Sequence, residues 1–285
     1  MSINMSTSGS AVQVRAPSPR TGHEDRGTVN ILGLPLSVLT FEETLGELER
    51  RIEDREPGFW ITANLNYAML TSQVPRLREV NQKADMILAD GMPLVWASRL
   101  AGQPLPQRVT GADLTTAICE CAAKKGYRLF LLGAAPGVGA TAAARLRRTY
   151  PDLQIAGVDS PPFREQSQQE NDELISRIRS ARTDVLLVAF GQPKGEIWLA
   201  ENIDRLRTPV AIQIGASIDF AAGTARRAPR FLQKLGLEWA FRLYQEPRRL
   251  AGRYASNIRF LAKSLIAART QPTRCQDDLP RNTKR

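Results

Sequence analysis

One carboxylate stands where a general base could act. Asp90 directly follows Ile87-Leu88-Ala89, a run that predicts a short buried strand, and Gly91 comes next. Burial at the end of such a strand strips a carboxylate of water, which raises its pKa and makes it a better base. The same position also suits an Asp that caps a helix starting near Met92. Spacing alone leaves both interpretations open.

Five polar or glycine-rich segments follow predicted strands. Ligands of open α/β sheets bind beyond the carboxyl ends of the strands, so together these segments predict one crevice, although each alone is also explained as a turn. The third segment opens a helix, whose N-terminus suits a phosphate or a ribose. It lacks the Lys-Ser/Thr of a P-loop and the spacing of a dinucleotide fingerprint. The segments are Thr62-Ala63-Asn64, Asp90-Gly91 and residues 133–139, 191–196 and 215–219.

Continuous apolar runs alternate with helical stretches along the first 220 residues. This alternation predicts an α/β fold with a mostly parallel, Rossmann-like sheet and helices on both faces. Thr40 followed by Glu43 predicts a capping box at the start of a helix that runs to Arg55. The predicted strands are 29–32 and 36–39, which pair with each other, and 58–62, 86–89, 127–132, 154–158, 184–190 and 210–214.

Positive charge is concentrated at the C-terminal end. Residues 226–285 hold 15 Lys/Arg and 4 Asp/Glu, whereas the other 225 residues hold 24 basic and 25 acidic side chains. A body with nearly equal numbers of basic and acidic side chains, followed by a basic end, indicates that the end meets a polyanion. The polyanion could be a membrane surface, a diphosphate or nucleic acid.

Composition also excludes several kinds of chemistry. The only histidine, His23, lies near the N-terminus, which argues against Ser–His and Cys–His catalysis and His-ligated metal sites. There is no Asp-x-Asp pair, so a metal-bound nucleotide site of that type has no visible ligands. Three cysteines are too few for a disulfide framework and fit a reduced, cytoplasmic setting. No signal peptide or membrane span is expected.

The sequence predicts four regions. They are a disordered leader (1–27), an α/β body (28–222), a basic helical appendage (223–270) and a disordered tail (271–285). Aromatic residues interleaved with the arginines of the appendage suggest that it folds onto the body. Within the appendage, apolar side chains at helical spacing lie among basic ones and predict an amphipathic helix that lies on a membrane. The apolar positions are Tyr254, Ile258, Leu261 and Leu265, and the basic ones are Arg253, Arg259, Lys263 and Arg269.

The chain resembles the WecG/TagA/CpsF family of bacterial glycosyltransferases from about Val29 to about Tyr254. Nine short motifs appear in the order typical of the family, which makes the match specific. They are Thr62-x-Asn64, Ala89-Asp90-Gly91, Arg108-Val-x-Gly111-x-Asp113-Leu114, Leu132-Gly133-x-x-Pro136-Gly137, Gly191-x-Pro193-Lys194-x-Glu196, Gly215-x-x-x-Asp219-Phe220-x-x-Gly223, Arg227-Ala228-Pro229, Glu238-Trp239-x-x-Arg242 and Glu246-Pro247-x-Arg249-x-x-x-Arg253-Tyr254.

The resemblance implies an inverting transfer of a hexose-type sugar from a UDP-sugar, without a metal or another cofactor. The acceptor would be a sugar on undecaprenyl diphosphate at the inner face of the cytoplasmic membrane, where the protein would be peripheral. Products of the family enter wall teichoic acid, enterobacterial common antigen or exopolysaccharide. Relatives also suggest a homo-oligomer.

The resemblance also implies roles for individual residues. Asp90 would be the base that deprotonates the acceptor, with Thr62 and Asn64 beside the reacting sugars and Arg108 holding a substrate. The donor would lie against Gly133, Ala134, Pro136, Gly137, Gln192, Lys194, Glu196, Gly215 and Asp219. The appendage arginines Arg227, Arg242, Arg249 and Arg253 would grip a diphosphate, so that guanidinium charge replaces a metal ion.

One position departs from the family pattern. The family loop usually reads Gly-x-Pro-Lys/Arg-Gln-Glu, whereas Gly195 stands at the Gln position here. That Gln lies near the active site in the family, so three interpretations are open: donor or acceptor choice has changed, Gln192 compensates from the same loop, or the enzyme is weakened or inactive.

Two other functions remain open on sequence. The basic end permits a nucleic-acid-binding protein, although the body carries no signature of one and nucleic acid is not expected as a partner. A non-enzymatic, membrane-binding component of a polysaccharide complex is favoured only by Gly195, and the intact Thr62, Asn64, Asp90 and Arg108 argue against it.

Overall fold

A computed structural model describes residues 27–162, 164 and 166–270, without the side chains of residue 234 and residues 267–270. The predicted tail (271–285) and all of the predicted leader except Gly27 lie outside the described residues.

The core of the structure is a six-stranded sheet, in which every neighbouring pair of strands is parallel and the order is β4-β3-β8-β7-β5-β6. A separate antiparallel pair, β1-β2, precedes it. The predicted strands are all present, with ends that shift by up to two residues. The strands are β1 (Thr28–Ile31), β2 (Leu34–Ser37), β3 (Gly58–Ala63), β4 (Met86–Ala89), β5 (Arg128–Gly133), β6 (Gln154–Asp159), β7 (Val185–Ala189) and β8 (Val210–Gln213).

Helices cover both faces of this sheet, as predicted. The helices are α1 (Phe41–Asp54), α2 (Leu65–Gln73), α3 (Arg76–Lys83), α4 (Met92–Leu100), α5 (Gly111–Lys125), α6 (Val138–Thr149), α7 (Gln168–Ser180), α8 (Lys194–Leu206), α9 (Ser217–Ala222), α10 (Arg230–Lys234), α11 (Glu238–Gln245) and α12 (Pro247–Thr270). One hydrophobic layer joins the sheet to α2, α3, α4, α7 and α8, and a second joins it to α1, α5, α6 and α9. The predicted α/β class is therefore confirmed.

The predicted capping box is present at the start of α1. The Glu43 amide donates to Thr40 Oγ1 at 3.2 Å, and the Thr40 amide donates to Glu43 Oε2 at 2.7 Å. Each side chain thus satisfies a backbone donor that the first helical turn leaves unpaired.

The predicted crevice would lie at the carboxyl end of the sheet between β5 and β7, because α6 and α8 leave these neighbouring strands on opposite faces. Gly133 ends β5 with φ +103°, and a Cβ there would lie 2.8 Å from the Ala189 carbonyl oxygen of β7. Only glycine fits this combination of a positive φ and close contact.

The C-terminal appendage folds onto the body. Leu250 is fully buried and α12 packs along α2. Tyr254, Leu261 and Leu265 are partly buried and Ile258 is 57% exposed, so the four predicted apolar positions do not form one exposed stripe. The body-facing side of α12 instead runs through Leu250 and Asn257. Within the described residues, no helix has the length and apolar character needed to cross a bilayer.

Candidate active site

Asp90 lies at the carboxyl end of β4, where two backbone contacts fix it. Its amide donates to the Ala63 carbonyl oxygen at 2.7 Å, and its Oδ2 accepts from the Gly111 amide at 3.3 Å. The N-cap of α4 is Gly91, and no side chain bonds to the amides of that helix end. The carboxylate therefore faces the start of α5 and does not cap α4.

The surroundings of Asp90 make it a stronger base than an ordinary carboxylate. Burial is the main cause and raises its pKa to about 6; the Gly111 amide opposes this, the charge of Glu238 adds to it, and Arg108 and Arg242 oppose it. Such a group is ionised at neutral pH and can still take up a proton.

The start of α5 approaches the ends of β3 and β8 closely. Thr110 caps the helix by accepting from the Asp113 amide at 3.0 Å. A Cβ on Gly111 would lie 2.8 Å from the Ile214 carbonyl oxygen and 3.1 Å from Thr62 Oγ1. The missing side chain at Gly111 allows a helix N-terminus to point an amide at Asp90, where it favours negative charge.

Thr62 and Asn64 shape the end of β3. The Thr62 hydroxyl is buried and donates to the Gln213 carbonyl oxygen at 2.7 Å. Asn64 caps α2, since its Oδ1 accepts from the Tyr67 amide at 3.1 Å. Both side chains lie at the strand end next to Asp90, and their contact with the sugars stays a prediction.

Arg108 belongs to an ion network that joins the body to the appendage. Arg108 Nη1 lies 3.4 Å from Glu238 Oε2 at the start of α11. Arg227 contacts Glu238 through Nε at 3.5 Å and donates from Nη1 to Asp113 Oδ1 at 2.6 Å. Arg227, predicted to grip a diphosphate, thus lies beside Arg108 and the start of α5.

The other three arginines predicted to grip a diphosphate, Arg242, Arg249 and Arg253, lie near one another. Burial lowers the pKa of Arg253, and the charges of Arg242 and Arg249 lower it further. Arg242 lies 5.6 Å from the centre of the Phe220 ring, and Arg249 pairs with Glu246. Guanidinium groups that repel one another are stabilised by a shared polyanion such as a diphosphate.

The predicted donor segments follow β5, β7 and β8 at the carboxyl end of the sheet. Gly133 and Ala134 have positive φ, and Gly137 is the N-cap of α6, with no side-chain bond to the helix amides. Pro136 lies in the same turn. Gly215 follows β8 with φ +58°, and Asp219 of α9 accepts from the Thr224 hydroxyl beyond the end of that helix.

The three predicted donor residues in and after the loop that follows β7 have different surroundings. Gln192 Oε1 accepts from Asn66 Nδ2 at 3.0 Å, which ties the loop to α2. Lys194 is exposed at the start of α8. Glu196 is fully buried, so the structure does not bring its side chain to the crevice surface.

The space beside Gly195 is filled by Gln213, whose Nε2 donates to the Phe190 carbonyl oxygen at 2.6 Å. A Cβ on Gly195 would lie 2.7 Å from Gln213 Cδ. The amide that packs against this position therefore comes from β8, while Gln192 bonds to Asn66.

Gly195→Ala is expected to lower the free energy of unfolding by about 1–3 kcal/mol, because the new methyl group overlaps Gln213. Urea unfolding measures this loss. In a Gln213→Ala background, the same substitution should cost much less. Gly46→Ala is the control: it also lies in a helix, nothing lies within 4 Å of its Cβ position, and it should be neutral or stabilising. An equal loss in both backgrounds would contradict the overlap.

Glu196→Gln is expected to stabilise the protein above about pH 7. Burial raises the pKa of Glu196 from 4.5 to about 7, with a partial offset from its own backbone amide and then from the side chains of Gln192 and Gln213. The folded chain therefore holds this proton more tightly than the unfolded chain, and stability is lost as pH rises from about 4.5 to 7. The variant should avoid a loss of up to about 3 kcal/mol.

Thermal unfolding at pH 5 and pH 8 checks this. The gain should be larger at pH 8, and the exposed Glu173→Gln should show no such difference. A gain that is equal at both pH values would contradict a buried, titrating Glu196.

Sequence reasoning missed three residues of this region. Glu238 and Asp113 were only motif members, and their contacts with arginines depend on long-range folding. Gln213 gave a weak signal, as a polar residue in the apolar strand Val210–Gln213. Among the described residues, no group of three or more His, Cys, Asp or Glu side chains could hold a metal ion.

Comparison with known proteins agrees with the motif order. The model of the glycosyl transferase WecG/TagA/CpsF family matches residues 29–274. A protein from Bacillus spizizenii named N-acetylglucosaminyldiphosphoundecaprenol N-acetyl-beta-D-mannosaminyltransferase is 33% identical over 221 residues, which cover 75% of this chain and 84% of the relative. A protein of the same name from Staphylococcus aureus (strain MRSA252) is 30% identical over 246 residues, covering 85% and 93%. These matches favour an enzyme over a non-enzymatic component, and the chain therefore belongs to the WecG/TagA/CpsF family of glycosyltransferases.

Proposed function

We propose that this glycosyltransferase moves a hexose-type sugar from a UDP-sugar to a sugar carried on undecaprenyl diphosphate, with inversion and without a metal ion. The names of the relatives support the acceptor class, since both specify N-acetylglucosaminyldiphosphoundecaprenol. They also make N-acetylmannosamine the first donor sugar to test. Surface glycans such as wall teichoic acid, enterobacterial common antigen and exopolysaccharide are the candidate products.

The proposed reaction is a single displacement. Asp90 takes the proton of the acceptor hydroxyl, whose oxygen bonds to the anomeric carbon of the donor sugar. The bond from that carbon to the diphosphate oxygen breaks, and UDP leaves with its negative charge. Attack opposite the leaving group inverts the anomeric centre. Arg242, Arg249 and Arg253 stabilise the charge that develops on the diphosphate.

A single observation carries this proposal. A carboxylate with its pKa raised to about 6 lies at the carboxyl end of a parallel sheet, within the electrostatic influence of Arg108 and Arg242. A base that faces cationic groups is the arrangement that a sugar transfer with a diphosphate leaving group needs.

The lipid-linked acceptor implies that the protein works at the inner face of the cytoplasmic membrane. The outer side of α12 supports a peripheral attachment, because Ile258 and Ile266 are exposed there together with Arg259 and Lys263. Exposed apolar side chains among basic ones suit an anionic membrane surface.

The test is an assay of the full chain with a panel of UDP-sugars and a short-chain prenyl-diphosphate-linked N-acetylglucosamine, in the presence of EDTA. Release of UDP and the mass of the product measure transfer, and NMR of the new linkage reads the anomer. We expect one donor to give a product of inverted configuration. Absence of transfer from every UDP-sugar, or a retained configuration, would contradict the proposal.

A further inference from the structure

Glu238 is the one acidic side chain that α11 brings to the active site. Its carboxylate contacts Arg108 at 3.4 Å and Arg227 at 3.5 Å, and it is only 18% exposed. Its negative charge also acts on Asp90. The residue comes from the appendage, 130 positions along the chain from Arg108.

Helix α11 presents opposite charges to Asp90 one turn apart. Glu238 and Arg242 are separated by four residues and therefore lie on the same side of the helix. The charge of Glu238 disfavours ionisation of Asp90, whereas that of Arg242 favours it. The helix thus adds two opposing charge effects to the proton affinity of Asp90, which burial mainly determines.

Without Glu238, the cationic groups would dominate this site. Asp90 is faced by the Gly111 amide, Arg108, Arg242 and Glu238. Arg227 is held by Asp113 and by Thr110 Oγ1, at 2.6 and 3.3 Å. Removing the Glu238 charge leaves Arg108 without its carboxylate partner beside Asp90, and nearby cations stabilise the ionised, less basic form of a carboxylate.

We propose that Glu238 is a positioning residue that preserves the basicity of Asp90 by pairing with the guanidinium groups of Arg108 and Arg227 and so offsetting their positive charge at the active site. This inference rests on the proposed function, in which Asp90 accepts the proton of the acceptor. It gives the appendage a part in proton transfer as well as in diphosphate binding.

The test compares the full chain with Glu238→Gln and Glu238→Asp, measuring kcat/KM between about pH 5 and pH 8. In Glu238→Gln, we expect the acidic limb of the profile to move down by about half a pH unit or more. The plateau should fall by about threefold or more, because a weaker base accepts the proton less readily. Glu238→Asp keeps the charge and should keep the limb near its original position.

Glu120→Gln is the matched control, since Glu120 is exposed on α5 and pairs with Lys124; its profile should not move. An unchanged limb in Glu238→Gln, with a lower rate or a lower melting temperature, would overturn the proposal and leave Glu238 as a structural link only.

A second measurement separates this inference from the proposed function. A carbon-13 titration of the Asp90 carboxyl group, assigned with Asp90→Asn, reads the same shift without substrate. If the parent protein transfers no sugar, the proposed function fails, and the titration still decides the effect of Glu238. A titration midpoint that is identical with and without the Glu238 charge would overturn the inference even in an active enzyme.

Discussion

Asp90→Asn is expected to lower kcat by about 10²- to 10⁴-fold, because an amide cannot accept the proton of the acceptor hydroxyl. In the parent enzyme, kcat/KM should fall as pH drops below about 6, the value to which burial and Glu238 raise the pKa of Asp90. The residual activity of the variant should lack this limb. Initial rates across pH measure both effects.

Loss of folding should not accompany this loss of activity. Because the folded-state pKa of Asp90 is raised from 3.8 to about 6, the carboxylate lowers stability as pH rises through that window. Asp90→Asn should thus be at least as stable as the parent at pH 7, with its Oδ1 still able to accept from Gly111. The exposed Asp152→Asn should change neither property. Near-normal turnover by Asp90→Asn would refute the assignment of the base.

The combined substitution of Arg242, Arg249 and Arg253 by Ala is expected to lower kcat/KM by at least about 10²-fold. These side chains are the proposed replacement for a metal ion, so their loss leaves the diphosphate charge unstabilised in the transition state. The apparent affinity for a UDP-sugar or for the lipid diphosphate should fall with it, and separate titrations of donor and acceptor identify which diphosphate they hold.

The control removes the same number of charges elsewhere. Arg78, Arg148 and Arg179 are exposed on α3, α6 and α7, and their replacement by Ala lowers the net charge equally. If both triple variants lost activity to the same extent, bulk charge would be responsible and the gripping role would be wrong. If the activity of the appendage variant stayed within a few-fold of the parent, the proposed role of the three arginines in diphosphate binding would also be wrong.

Local sequence signals predicted much of the fold, because they act over a few residues. The capping box of Thr40 and Glu43 and the strand Met86–Ala89 were predicted residue for residue. Uninterrupted apolar runs indicated strands that are buried on both faces, as parallel strands are. The order of strands was beyond these signals, since the place of β8 between β3 and β7 depends on packing across more than 100 residues.

The residues of the site likewise separate into those that a local pattern identifies and those whose contacts are long-range. Asp90 was identifiable because a carboxylate after an apolar strand is a local pattern. The hydrogen bond from the Thr62 hydroxyl to the Gln213 carbonyl oxygen joins residues 151 positions apart, and the contact of Arg108 with Glu238 joins residues 130 positions apart. Likewise, no pattern around Gly195 shows that Gln213 fills the space beside it. Pairings of this kind become visible only when the chain is folded.

The ion network between the body and the appendage also bears on when the enzyme becomes active during its synthesis. Asp113 and Arg108 leave the ribosome well before Arg227 and Glu238, which follow 114 and 130 residues later. Domains fold as units, N-terminal first, while translation proceeds. The sheet is complete only after β8 (Val210–Gln213) has emerged, and Arg227 and Glu238 follow the end of that strand by 14 and 25 residues. Until the appendage has emerged and folded, a growing chain would therefore hold Asp90 without the charges of Glu238 and Arg242, and without the proposed arginine contacts to a diphosphate.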